Sequence, residues 1–261
     1  WAENSVFLPG PGGDYLGQTI HTGDGSLRRA VFVFTSGGRK RCENLRLRTR
    51  IPIFAGVKMK TMKNIVFDLG GVLFARDRNK CDADLLGFFS FLRAPQMPRF
   101  WEEYDRGVNT LQEVTQTLVD MTGYPYERCA EVLQQAIDLQ EPIPATERLV
   151  RDLKASGRYR LYVLSNMAHE FIAHLRRFPV YGLFDGEVIS CEELVVKPEP
   201  RIYEILLERY GLNPAETLFI DDREANIATA EQLGIHGYLF NHRDPAASCD
   251  ALRRKLLDDR E

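Results

Sequence analysis

Apolar residues in this chain follow two different rhythms. From residue 64, and again from 160 onward, they form short continuous runs, whereas between about 80 and 145 they recur every three or four positions. Ile65-Val66-Phe67 reads as a strand buried on both faces of a parallel sheet. Arg160–Leu164, Gly186–Ser190, Thr217–Ile220 and His236–Phe240 have the same strand character. Helices are predicted over Thr146–Ser156, His169–Phe178, Lys197–Tyr210 and Glu224–Leu233, with Gly157 and Gly234 closing the first and last. Strands alternating with helices through short loops imply an α/β fold, a parallel sheet with helices on both faces.

The stretch between the first two strands is helical. Leu85, Leu86, Phe88, Phe89 and Leu92 form an apolar stripe, and Phe100 to Tyr104 begins another helix. Thr110 is placed to cap a third, with Glu113 completing a capping box and Leu111, Val114, Leu118 and Met121 as its buried face. Gly123-Tyr124-Pro125 ends it, and Tyr126–Leu139 supplies one more. The predicted division is a core of residues 59–78 and 146–261, interrupted by a helical cap over 79–145. Phe74 to Arg78 reads as a polar exit from the first strand.

Residues 1–58 differ in composition. Nine Lys/Arg against four Asp/Glu give this stretch +5 within a chain of net charge −3, and it holds nine of the 20 glycines. Its one strand-like piece is Arg29–Phe34. The expectation is a poorly ordered or non-native extension, with translation starting at Met59 or Met62. The chain as a whole carries no basic field to recruit nucleic acid or a membrane surface. No apolar run approaches the ~20 residues of a membrane span, and five scattered cysteines without a CxxC pair suit a reducing, cytoplasmic setting.

Candidate chemistry lies where the predicted strands end. Asp68 follows the first strand and is succeeded by Gly70 and Gly71; Ser165-Asn166 follow the second; Lys197 comes later; and Asp221-Asp222 follow the fourth. The carboxyl ends of parallel strands are where such sheets bind ligands. Acidic groups from two strands can hold Mg²⁺ through oxygen ligands. A carboxylate beside that cation can attack phosphorus, while a hydroxyl and an ammonium neutralise the phosphoryl oxygens.

Four motifs carry a resemblance: Phe67-Asp68-Leu69-Gly70-Gly71-Val72, Val163-Leu164-Ser165-Asn166, Lys197-Pro198-Glu199-Pro200-Arg201-Ile202-Tyr203, and Phe219-Ile220-Asp221-Asp222-Arg223-Glu224-Ala225-Asn226. In this order, over residues 62–258, the chain resembles the haloacid dehalogenase (HAD) superfamily. Within it the chain is similar to sugar-phosphate phosphatases, including the N-terminal phosphatase domain of soluble epoxide hydrolase and glucose-1-phosphate phosphatases. The resemblance implies a Rossmann-like core with an inserted C1 cap. It implies Asp68 as the nucleophile that forms an aspartyl phosphate, and Ser165, Asn166 and Lys197 as phosphate or substrate ligands. It further implies Mg²⁺ on Asp68, the Gly70 carbonyl and Asp222, with Asp221 assisting. The substrate expected is a small phosphorylated metabolite, hexose phosphates among the options.

One position departs from the pattern. Most phosphatases of this superfamily carry an acid–base Asp two residues after the nucleophile, where this chain has Gly70. Asp77 is a candidate replacement, and Trp101, Tyr104, Asp105, Arg106 and Asn109 are cap residues that could face the core. Two other functions stay open on sequence: a metal-independent dehalogenase, opposed by the Asp221-Asp222 pair, and a non-catalytic phosphometabolite-binding protein, for which Gly70 is the sole support.

Overall fold

The computed structural model describes strand residues 18–21 and 27–30 and residues 62–76, 80–81, 87–89 and 97–258. The chain divides into two units, Trp1–Ile53 and Phe54–Glu261. In the first, β1 (Gln18–His21) pairs antiparallel with β2 (Leu27–Ala30). That hairpin ends where the strand expected over Arg29–Phe34 begins; the remainder of that stretch, Asp77 and most of the stripe from Leu85 to Leu92 lie outside the described residues.

The second unit is built on a parallel sheet. Its strands are β3 (Asn64–Phe67), β6 (Arg160–Ser165), β7 (Gly186–Ile189), β8 (Thr217–Asp221) and β9 (His236–Leu239). They lie in the order β7-β6-β3-β8-β9, so the first strand of the core is central. Phe67 is level with Val163 on one side and Ile220 on the other, which brings the ends of β3, β6 and β8 together. Alternation along these strands feeds two apolar layers. Ile65, Phe67, Leu161, Val163, Leu218 and Ile220 enter one, and Val66, Tyr162, Leu164 and Phe219 the other.

Helices cover both layers. Leu149, Val150 and Leu153 of α4 (Pro144–Ala155) join the first layer, as do Phe171, Ile172 and Leu175 of α5 (His169–Leu175). Ile202, Tyr203 and Leu206 of α7 (Pro200–Tyr210) join the second, with Ile227 and Ala230 of α8 (Glu224–Gln232). Lys197 therefore stands three residues ahead of α7 rather than opening it, because the helix starts with Pro200 at its first position. α9 (Pro245–Arg253), for which the apolar rhythm gave no expectation, packs against α4.

The insert between β3 and β6 is helical: α1 (Arg99–Asp105), α2 (Leu111–Thr122) and α3 (Tyr126–Asp138). Thr110 caps α2 through the full capping box with Glu113. At its edges, where the sequence predicts only a polar exit after the first strand, stands a pair of short strands. β4 (Phe74–Arg76) and β5 (Gln140–Pro142) pair antiparallel and form a two-stranded neck through which the chain enters and leaves the insert. Among the described residues no helix is long and apolar enough to cross a membrane.

Candidate active site

β3 and β8 are buried along their whole length, so each delivers its terminal carboxylate at the edge of the core rather than in open solvent. Asp68 follows β3 and Asp221 ends β8; both are buried, as are Ser165 and Lys197. Three donors converge on one oxygen of Asp68. Ser165 Oγ donates to Oδ1 at 2.7 Å, Lys197 Nζ lies 2.9 Å from it, and the Leu69 N–H donates at 2.7 Å. Oδ2 has no hydrogen bond among the described residues, which leaves it as the unencumbered oxygen of the carboxylate.

Lys197 is held from several sides. Its Nζ donates to Asp221 Oδ2 at 2.7 Å and to the Leu164 carbonyl at 2.9 Å. Its backbone is clamped by Asn166, whose Oδ1 accepts the Lys197 N–H at 2.7 Å while its Nδ2 donates to the Lys197 carbonyl at 2.9 Å. Burial works against the ammonium form, but the adjacent Asp221 and Asp68 outweigh it and hold the Lys197 pKa above the ordinary lysine range. The lysine is a fixed cation, and Asn166 acts on its backbone rather than standing alone.

Asp221 and Asp222 divide their work. Both oxygens of Asp221 are engaged, by Lys197, the Arg223 N–H at 2.8 Å and Asn226 Nδ2 at 2.9 and 3.0 Å. Asp222 points elsewhere, with His242 Nδ1 3.3 Å from its Oδ2. Burial, then the charges of Asp68 and Asp221, push the Asp222 carboxyl up to about 7, with Arg223 and Lys197 opposing. Gly71 sits at φ +77°, and a Cβ on it would lie 2.7 Å from Asp222 Oδ2, so the glycine turn closes onto that carboxylate.

Asp68, Asp221 and Asp222 each offer an oxygen within 4.8 Å of the others. One lysine balances only part of this charge, and after burial the neighbouring carboxylates add to the rise of the Asp222 pKa. An all-oxygen, negatively charged donor set of this kind fits a hard divalent cation such as Mg²⁺.

Residues 62–234 match the family described as haloacid dehalogenase-like hydrolase. The chain belongs to that family. It is 29% identical over 195 residues to a sesquiterpene phosphatase of Aspergillus oryzae, covering 74% of this chain and 96% of the relative. To D-ribitol-5-phosphate phosphatase of Bacteroides thetaiotaomicron it is 27% identical, over 68% of this chain and 91% of that one. A HAD family enzyme from the same bacterium, solved with magnesium and inorganic phosphate, superposes with a TM-score of 0.55 at 29% identity, covering 69% of this chain and 95% of that one. With these relatives, the protein is a HAD-family phosphoric monoester hydrolase.

The structure brings together Asp68, Ser165, Asn166, Lys197, Asp221 and Asp222. Sequence reasoning assigned no role to Asn226, although it closes the fourth motif five residues after Asp221, nor to His242, which lies in a loop with no spacing signal. Gly70 is exposed beside Asp68, and a Cβ built on it meets nothing within 4 Å.

Proposed function

We propose that this HAD hydrolase is a Mg²⁺-dependent phosphatase that cleaves a small phosphorylated metabolite through an aspartyl phosphate on Asp68. The observation that carries the reading is the asymmetry of Asp68, one oxygen fixed by Ser165, Lys197 and the Leu69 N–H, the other free. A nucleophile needs that orientation, because an oxygen held in line with the scissile bond has already met the entropic cost of alignment.

Oδ2 of Asp68 forms the bond to phosphorus as the ester oxygen departs. Ser165 Oγ and Lys197 Nζ, already beside the nucleophile, contribute a donor and a positive charge toward the phosphoryl oxygens. Asn166 keeps the lysine from following its ligand, and Asn226 with the Arg223 N–H holds Asp221 in place to anchor that lysine. Water then attacks phosphorus, the bond to Asp68 breaks, and phosphate leaves. Asp68, the Gly70 carbonyl and Asp222 would hold Mg²⁺, which supplies charge neutralisation between the anionic nucleophile and the anionic substrate.

The relatives act on a sesquiterpene phosphate and a sugar-alcohol phosphate by name, which supports a phosphomonoester of a small organic alcohol. The test is phosphate release from sugar, sugar-alcohol and terpenyl phosphates and p-nitrophenyl phosphate, in Mg²⁺ or EDTA. We expect metal-dependent release that Asp68→Asn abolishes. Release that persists in EDTA, or in Asp68→Asn, overturns the reading.

A further inference from the structure

We propose that Asp105, the last residue of cap helix α1, is the proton donor and acceptor for the leaving-group oxygen, the role left without a side chain at Gly70. The inference rests on the phosphatase reading.

The cap is fastened to the core on either side of this one residue. Tyr104 OH donates to Glu170 Oε2 at 2.8 Å, which ties α1 to α5 just beyond Ser165. The Asp105 carbonyl accepts from Ser190 Oγ, and that same hydroxyl accepts the Met167 N–H at 2.9 Å. Arg106 pairs with Glu199 at 2.6 Å, two residues past Lys197. Gly107 is pressed so closely on Cys191 that a Cβ there would sit 2.5 Å from the Cys191 carbonyl oxygen. Four successive cap residues thus grip the segments that follow β6 and β7. Those segments carry Asn166 and lead to Lys197.

The other acids along this seam already have partners. Glu102 and Glu199 are bound to Arg106, Glu103 to Arg99, and Glu170 to Tyr104. The Asp105 carboxyl has no hydrogen bond or ion pair among the described residues, although its backbone is anchored. The backbone anchors place Asp105 beside the loops of Asn166 and Lys197, within electrostatic reach of Arg223, Asp68 and Lys197, with Glu102 from its own helix. Burial first, then Asp68 and Glu102, raise it, and Arg223 and Lys197 pull it down, leaving it at about 7. An acid poised there can give a proton and take one back near neutrality. The open space at Gly70 completes the picture, since the position two residues after Asp68 has no side chain to give or take a proton.

The chemistry balances in two halves. As Asp68 Oδ2 bonds to phosphorus, the ester P–O bond breaks and the departing oxygen takes the Asp105 proton, leaving as the alcohol. Water then adds to phosphorus and returns a proton to Asp105 as the bond to Asp68 breaks, releasing phosphate.

The test compares leaving groups in wild type, Asp105→Asn and Asp105→Asn combined with Gly70→Asp. An alkyl ester, such as a sugar-alcohol phosphate, needs its oxygen protonated; p-nitrophenyl phosphate does not. We expect Asp105→Asn to lose ~10²–10⁴ in the saturating single-turnover rate of alcohol release from the alkyl ester and less than about tenfold in that of p-nitrophenolate release, both read before water returns the proton. Adding Gly70→Asp should recover alkyl-ester turnover, because the space is open. Equal losses on both substrates, a loss confined to KM, or no loss overturns the proposal. So does a double variant that keeps p-nitrophenyl phosphate turnover without recovering the alkyl ester. No release by wild type from any ester removes the phosphatase reading and this role with it, whereas an active wild type with an unaffected Asp105→Asn removes the role alone.

Discussion

Lys197 is the residue on which the site's electrostatics turn. Its ammonium is shared between Asp68 and Asp221, both buried, so removing it strands two carboxylates away from water. Breaking a buried pair from one side typically costs about 3–5 kcal/mol, since the charge left behind is uncompensated. Lys197→Ala is therefore expected to lower stability by about that amount as well as to abolish turnover, read from urea denaturation and phosphate release on one preparation. A fully stable but inactive variant would make Lys197 a substrate ligand only. Sequence placed Lys197 in the site by its motif, and the helix it was expected to open starts at Pro200 instead. A flexible lysine within a helix could sway, whereas this one is pinned through its backbone by Asn166.

Among the elements, helices were the most legible because their signals are local. The capping box of Thr110 and Glu113 needs only four consecutive residues, and it forms as read. Thr110→Ala should cost about 1 kcal/mol of stability while leaving kcat near wild type, since the cap of α2 touches no residue of the site. A shifted denaturation midpoint with unchanged turnover is the expected pair of results; a large loss of kcat would mean that α2 positions Asp105. The paired strands β4 and β5 were not legible for the opposite reason. Each has only three residues, too few to show an alternation, and each exists because the other lies beside it, more than 60 positions away. Pairing over that distance leaves no periodic trace in either segment.

Across the whole molecule, a cation at Asp68 and Asp222 would cross-link neighbouring strands β3 and β8. Binding to the folded state alone would stabilise the entire unit, by about 2.7 kcal/mol at a hundredfold excess over Kd. The pH dependence has a definite sign. The Asp222 carboxyl is raised from 3.8 to about 7 in the folded protein, so its contribution to metal-free stability is present below the unfolded value and is lost as pH rises toward about 7. Protons and Mg²⁺ compete for it, and the Tm increase caused by Mg²⁺ should be larger at pH 8 than at pH 6. Thermal scans with Mg²⁺ and with EDTA at both values check this; equal increments would exclude Asp222 from the metal site. By itself the sequence determined the alternation of strands and helices, the helical insert and the four motifs, because apolar periodicity and strand-end chemistry are written within a dozen residues. Only the tertiary structure decided the rest. It set the register that gathers Asp68, Ser165 and Asp221, gave Asp221 its partners, and anchored the Asp105 backbone on Ser190. Each of these depends on contacts between residues far apart in the chain, and burial alone turns such contacts into shifted charge and fixed direction.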